Sequence, residues 1–212
     1  MDTKWRNLGI VVAVIVIALI AYFALPSILT PAPYVDNTAS LDEGYGKMLA
    51  LFESNDVNFS EFRELKIVGS DLLGNVYLAM PESNLIKLKS DLVSFKSNPG
   101  PYNAESKAEL SAAASVFILT IDNSLADYFD MTKISAYFSE VNSCDLANLD
   151  DSINIINKAY GRLEALANAV DEFARNYDEY AELVVVDLDS AYPSYISSLD
   201  SVLLKKTECG FE

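Results

Sequence analysis

An unbroken apolar run, LGIVVAVIVIALIAYFAL, extends from Leu8 to Leu25 and continues weakly through PSIL to Leu29 without a charged residue. A helix needs about 20 apolar residues to cross the roughly 30 Å hydrocarbon core of a bilayer, so the run predicts a transmembrane anchor over 8–29. Lys4 and Arg6 precede it with Asp2 as the lone acid, and no Lys or Arg follows until Lys47. Positive charge beside a spanning helix stays on the cytoplasmic side. Residues 1–7 are therefore expected inside and the remainder outside, which in a prokaryote means a single pass through the cytoplasmic membrane. Trp5 and Tyr22 fall near the two interfaces that amphipathic rings prefer. A cleaved signal peptide is the competing reading, but its apolar region spans roughly 7–15 residues and ends at a small-x-small site. This run is longer, and no Ala-x-Ala follows it. A pilin-like filament subunit cut near Gly9 is a further alternative. Gly9 lacks an adjacent charge, however, and the sequence beyond the anchor reads as helical.

The chain carries 15 Lys+Arg against 31 Asp+Glu, a formal net charge of −16. Setting aside residues 1–29 removes Lys4, Arg6 and Asp2, leaving 13 basic against 30 acidic residues, or −17. Such a surface repels nucleic acid and anionic headgroups, so the reading excludes DNA and RNA as partners. Histidine and glutamine are absent. Without His there is no Ser-His-Asp triad, no Cys-His dyad and no HExxH zinc site. The commonest general base near neutral pH is missing as well. No Gly-rich phosphate loop, CxxC pair or dinucleotide fingerprint stands in its place. The expectation is a non-enzymatic protein with no cofactor and no metal, and a carboxylate-only enzyme ranks last.

Pro31 and Pro33, following Pro26 at the end of the anchor, make residues 30–39 a short, semi-rigid linker. From Ser40 onward the pattern is helical, with helices expected over about 40–54, 59–79 and 82–97. Ser40 and Ser60 are candidate N-caps, and Pro81 is a breaker. Asn98-Pro99-Gly100-Pro101 is a strong stop and the one candidate subdivision of the domain 40–212. A long helix should run from about 104 towards 141, with Leu110, Ala114, Phe117, Ile121, Tyr128, Met131 and Phe138 on one stripe. After a break at SCDLAN, positions 149, 153, 156, 160, 163, 167, 170, 174, 177 and 181 hold an alternating four-three spacing, the mark of a coiled-coil-like seam. A last helix is expected over about 187–206, bent or restarted at Pro193. The fold class read from these features is all-α. An N-terminal transmembrane helix precedes an extracytoplasmic multi-helix bundle built on a long antiparallel hairpin. The alternative is a compact bundle of shorter pieces, broken near Gly161 and Asp130.

Cys144 and Cys209 are the only cysteines. Cys144 lies in the turn of the hairpin, and the returning last helix carries Cys209 back towards it, so a disulfide is expected in an oxidising compartment. The acidic groups Asp145/Asp150/Asp151 and Asp187/Asp189 invite a calcium reading. Neither has EF-hand spacing, the central Gly or the terminal Glu, so solvated helix caps explain them better. Tyr180, Tyr192 and Tyr195 are candidate interface aromatics, with Tyr177 assigned to the seam. Asn58-Phe59-Ser60 is an N-glycosylation sequon. The leading functional expectation is a membrane-anchored interaction or assembly module with a protein partner or self-association. A helical bundle that binds a small molecule or cation for a partner membrane protein is the alternative.

Overall fold

The computed structural model describes residues 40–63, 68–69, 77–78, 80–139, 144–184 and 191–211. The expected head, anchor and linker over 1–39 lie outside the described residues. Among the described residues no helix is long and apolar enough to cross a membrane.

Helix α1, Leu41–Ser54, starts where Ser40 Oγ accepts the backbone N–H of Glu43 at 3.2 Å. Asp42 and Glu43 in its first turn suit the positive end of the helix dipole. Tyr45, Met48 and Phe52 form its buried stripe. Gly44 shares that face because a Cβ there would collide with the Leu110 side chain. The helix stops at Asn55, whose Nδ2 donates to Leu51 O at 2.8 Å and to Asp91 Oδ2 at 2.9 Å, and at Asp56, which adopts φ 53°.

A single helix over 59–79 does not form. Helix α2 is short, Phe59–Arg63, and Asn58, not Ser60, caps it. An antiparallel bridge follows, β1 (Val68–Gly69) with β2 (Tyr77–Leu78), in the register Val68↔Leu78 and Gly69↔Tyr77. The sequence KIVGSDLLGNVYL contains the reason. Gly69 and Gly74 each cost a helix about 1 kcal/mol, and Ile67, Val68, Val76 and Tyr77 favour extended backbone.

Helix α3, Glu82–Ser97, begins after Pro81 and buries Leu85, Leu88 and Leu92. The Asn98–Pro101 stop is a turn. Gly100 takes φ 127°, which a side chain would not tolerate, and Asn103 Oδ1 accepts the Ser106 N–H at 2.7 Å to open the next helix. That helix, α4, runs unbroken over Ala104–Ser139, and α5 runs unbroken over Leu146–Asn176. At 1.5 Å per residue they are about 54 and 46 Å long. Asp145 caps α5, its Oδ1 accepting from Ala147 and Asn148. The cross-links Asn123–Arg162, Asp127–Arg162 and Lys133–Asp151 descend on α5 as they climb α4, so the pair is antiparallel. Gly161 sits in open space and does not break the helix.

The short helix α6, Ala181–Val184, and helix α7, Ala191–Glu208, complete the chain. Pro193 lies in the first turn of α7, where its missing N–H costs nothing. Contacts of Tyr192 with Tyr160 and of Lys206 with Asp150 run α7 antiparallel to α5.

Half of the expected α5 seam is buried and half is displaced. Leu149, Ile156, Leu163 and Val170 are buried as read, but the second track falls one residue earlier, at Ser152, Ala159, Leu166 and Phe173. Ile153, Tyr160, Ala167 and Ala174 are half-buried. The cause is a second neighbour. α5 packs on α4 and also on α7, with Ile153 against the cluster that α7 closes and Tyr160 edge-on to Tyr192 at 5.6 Å.

Two apolar clusters result. The first joins α1, α2, α3, the N-terminal half of α4, the C-terminal half of α5, and α6. At its centre Phe52, Phe59, Phe62 and Phe117 meet edge-on at 4.8–5.9 Å. The second joins Met131 and Ile134 of α4, Leu149, Ile155, Ile156 and Ala159 of α5, and Val202 of α7.

Candidate functional site

Along α4 the polar residues Thr120, Asn123, Ser124 and Asp127 recur at core spacing and are buried. Thr120 lies beside Ile121 of the first cluster, and Asn123, Ser124 and Asp127 lie on the chain between Ile121 and Met131 of the second. Thr120 and Ser124 satisfy their hydroxyls on the carbonyls one turn back, Val116 O at 2.9 Å and Thr120 O at 2.8 Å. Asp127 is tied across helices. Its Oδ1 accepts from Arg162 Nη2 at 2.5 Å and Nε at 3.2 Å, and its Oδ2 accepts a short hydrogen bond from Tyr195 of α7. Arg162 also reaches Asp130 Oδ2 at 2.6 Å, and its backbone carbonyl accepts from Asn123 Nδ2 at 3.0 Å. Three helices thus meet at one ionic node.

Burial pushes the Asp127 carboxyl above its ordinary range, and the hydrogen bonds from Tyr195 and Arg162 only partly offset this. Burial also pushes the Tyr195 phenol up, reinforced by the Asp127 charge. Burial opposes the charge on Arg162, but the two carboxylates outweigh it and hold the guanidinium protonated. Arg162 Nε and Nη2 and the Tyr195 hydroxyl all donate to carboxylates of the node. The arrangement ties α4, α5 and α7 in one register.

A second polar group sits on the first cluster. Tyr45 donates to Glu109 Oε1 at 3.0 Å, and its ring stacks on Tyr180 at 4.1 Å and 15°. Tyr180 in turn makes a short hydrogen bond to Asp42, which pushes its phenol up to about 12. Burial raises the Glu109 carboxyl, and the charges of Glu179, Glu105 and Asp178 add to the rise.

The sequence-named residues take these places. Cys144 and Cys209 are bonded, with Cα atoms 5.4 Å apart, inside the distance a disulfide requires. Tyr195 belongs to the ionic node, Tyr180 to the tyrosine stack, and Tyr192 meets Tyr160, so all three engage other parts of the fold. Asn58 is exposed. Asp145 caps α5, Asp150 pairs with Lys206 at 3.0 Å, and Asp151 accepts from Lys133 and Tyr137 at 2.7 and 2.8 Å. Asp187 and Asp189 lie outside the described residues. Among the described residues no group of His, Cys, Asp or Glu is arranged to hold a metal ion.

The outer face of α7 was missed. Pro193, Ile196, Leu203 and Leu204 face away from the bundle, with Ile196 54%, Leu203 43% and Leu204 63% exposed. Its signal was present in the sequence, since a helix with apolar residues on two faces needs two partners. Comparison of the chain with family models, with curated proteins and with solved structures gives no match.

Proposed function

We propose that this chain is a membrane-anchored, extracytoplasmic helical module that works by binding protein, with residues 8–29 as the anchor and the outer face of α7 as the docking surface. The observation that carries the reading is the exposure of Ile196, Leu203 and Leu204 on a helix that is fastened along its length. Tyr195 joins it to the ionic node, Val202 to the second cluster, Lys206 to Asp150, and Cys209 to Cys144. Large apolar side chains held outward on a rigid element are the usual form of an interaction patch. Charge supports the choice. α7 carries Lys205 and Lys206 against Asp200 and Glu208 and is neutral, within a domain of strong net negative charge. A neutral strip is where a partner, or a second copy, approaches with least repulsion. The module is non-enzymatic in this reading, because the acids and phenols described above are spent on structural pairs.

The test is crosslinking of the full chain in its native membrane, beside the double variant Ile196→Asp, Leu204→Asp. A crosslinked product in the parent that disappears in the variant, with an unchanged melting temperature, is the expected result. An identical product pattern overturns the docking surface.

A second reading, receipt of an organic cation, draws support from the Tyr45–Tyr180 stack with Asp42, Glu109 and Glu179 around it. Aromatic faces with nearby carboxylates attract such ligands. Titration calorimetry with tetramethylammonium and with spermidine distinguishes it from the first.

A further inference from the structure

Asn58 caps α2 and Phe59 and Ser60 are its first two residues, and the three alternate in environment. Asn58 and Ser60 are exposed. Phe59 turns inward, its ring edge-on to Phe52 and Phe117 at 4.8 and 5.8 Å. Phe62, one turn on, is fully buried against the same two rings. The two phenylalanines therefore pin the tripeptide to the core and leave both polar side chains on the outside.

The carboxamide of Asn58 is also oriented. Its Oδ1 accepts the backbone N–H of Ser60 at 3.0 Å and of Glu61 at 3.2 Å. Those bonds occupy the oxygen and leave the nitrogen to solvent. Among the described residues neither Asn58 Nδ2 nor Ser60 Oγ has a hydrogen-bond partner. An exposed carboxamide nitrogen, with an exposed serine two residues on, is what a transferase needs to find.

We propose that Asn58 is an N-glycan acceptor. The proposal rests on the extracytoplasmic reading above, since sequons are modified on exported chain. The donor class is an oligosaccharide joined through phosphate to a polyprenyl lipid. Asn58 Nδ2 forms a C–N bond to the anomeric carbon of the first sugar, and the bond from that carbon to the phosphate oxygen breaks. The lipid phosphate leaves with the bonding pair, and the carboxamide nitrogen gives up one proton. Oδ1 is untouched, so the α2 cap survives the modification. The glycan is bulky and solubilising. It stands on the half of the fold built around the first cluster, whereas α7 closes the second, so the docking face of α7 stays uncovered.

The test is peptide mapping by tandem mass spectrometry on the full chain purified from its native membranes, with Ser60→Ala and Ser60→Thr made in the same cells. The expected result is a sugar mass on the Asn58 peptide of the parent and of Ser60→Thr, and its complete loss in Ser60→Ala. Because the cap uses Asn58 and not the Ser60 hydroxyl, Ser60→Ala should melt at the parent temperature. Protease added to intact spheroplasts separates the two ways of failing. Unmodified Asn58 on a domain that protease removes overturns the glycan site and leaves export standing. Unmodified Asn58 on a protected domain overturns both. Sugar that persists on Asn58 in Ser60→Ala shows that the sequon is not its cause and also overturns the proposal.

Discussion

Arg162 matters chiefly for what its removal would leave behind. Asp127 has a side chain only 11% exposed, so without the guanidinium its carboxylate would face Tyr195 and little else. Breaking a buried pair from one side costs about 3–5 kcal/mol, whereas exchanging both partners for apolar groups of similar size is often neutral or stabilising. Arg162→Met is therefore expected to lower unfolding stability by about 3 kcal/mol. Adding Asp127→Leu should restore most of the loss. Urea unfolding of the two single variants and the double variant measures this, and simple additivity of the two losses would refute the node as a coupled unit. The sequence held a clue in Thr120, Asn123, Ser124 and Asp127, polar residues at the spacing of an apolar stripe. Nothing local said that Arg162 and Tyr195, on two other helices, would answer them.

At the scale of elements, α7 is held through its C-terminal half. Val202 is its fully buried apolar anchor, and the disulfide fastens the residue beyond its C-terminus to the start of α5. The bond closes a loop of sequence separation 65. In the chain-entropy model that is worth about 4 kcal/mol, and native disulfides typically deliver about 2–5 kcal/mol. Cys144→Ser should lower stability by about 2–5 kcal/mol, and most of the amide protection lost should fall within α7. Hydrogen exchange on the variant checks it. Protection lost evenly over α4 and α5 would mean that the bond holds the hairpin and not the last helix. The pairing was readable beforehand because an antiparallel return is a statement about direction, and direction follows from helix order and turn length. The break within 59–79 was readable too, in Gly69 and Gly74 and the β-branched residues beside them.

For the molecule as a whole, pH acts through buried carboxylates and net charge together. Glu109 and Asp127 both titrate above their ordinary values of 4.5 and 3.8 in the folded protein, chiefly because burial penalises the charged form. The folded state therefore holds these protons more tightly than the unfolded chain. Their contribution to stability is fully present below the ordinary carboxylate range and is lost as pH rises through the raised values. A formal net charge of −16 adds repulsion in the same direction. Asp151, held below its ordinary value by Lys133 and Tyr137, works oppositely, but it is exposed and its share is small. The melting temperature should be higher at pH 5 than at pH 8, and Glu109→Gln should flatten that dependence. A melting temperature that falls steadily from pH 8 to pH 5 would contradict the sign.

The all-α class, the limits of α3, the continuity of α4 and the pairing of Cys144 with Cys209 were set by the sequence alone. Each depends on neighbours a few residues apart, on a cap or breaker, or on the order of helices along the chain. The sequence equally set the absence of histidine and the strong negative charge. The three-dimensional arrangement decided what depends on a second neighbour. It shifted one track of the α5 seam by a residue, because α7 as well as α4 packs there. It gathered Asp127, Asp130, Arg162 and Tyr195 from three helices into one node, and it left Asn58 exposed while packing Phe59 against the first cluster. Among the described residues it also left Ile196, Leu203 and Leu204 exposed. Periodicity can show that a helix has an apolar face, but only packing determines which face finds a partner within the same chain.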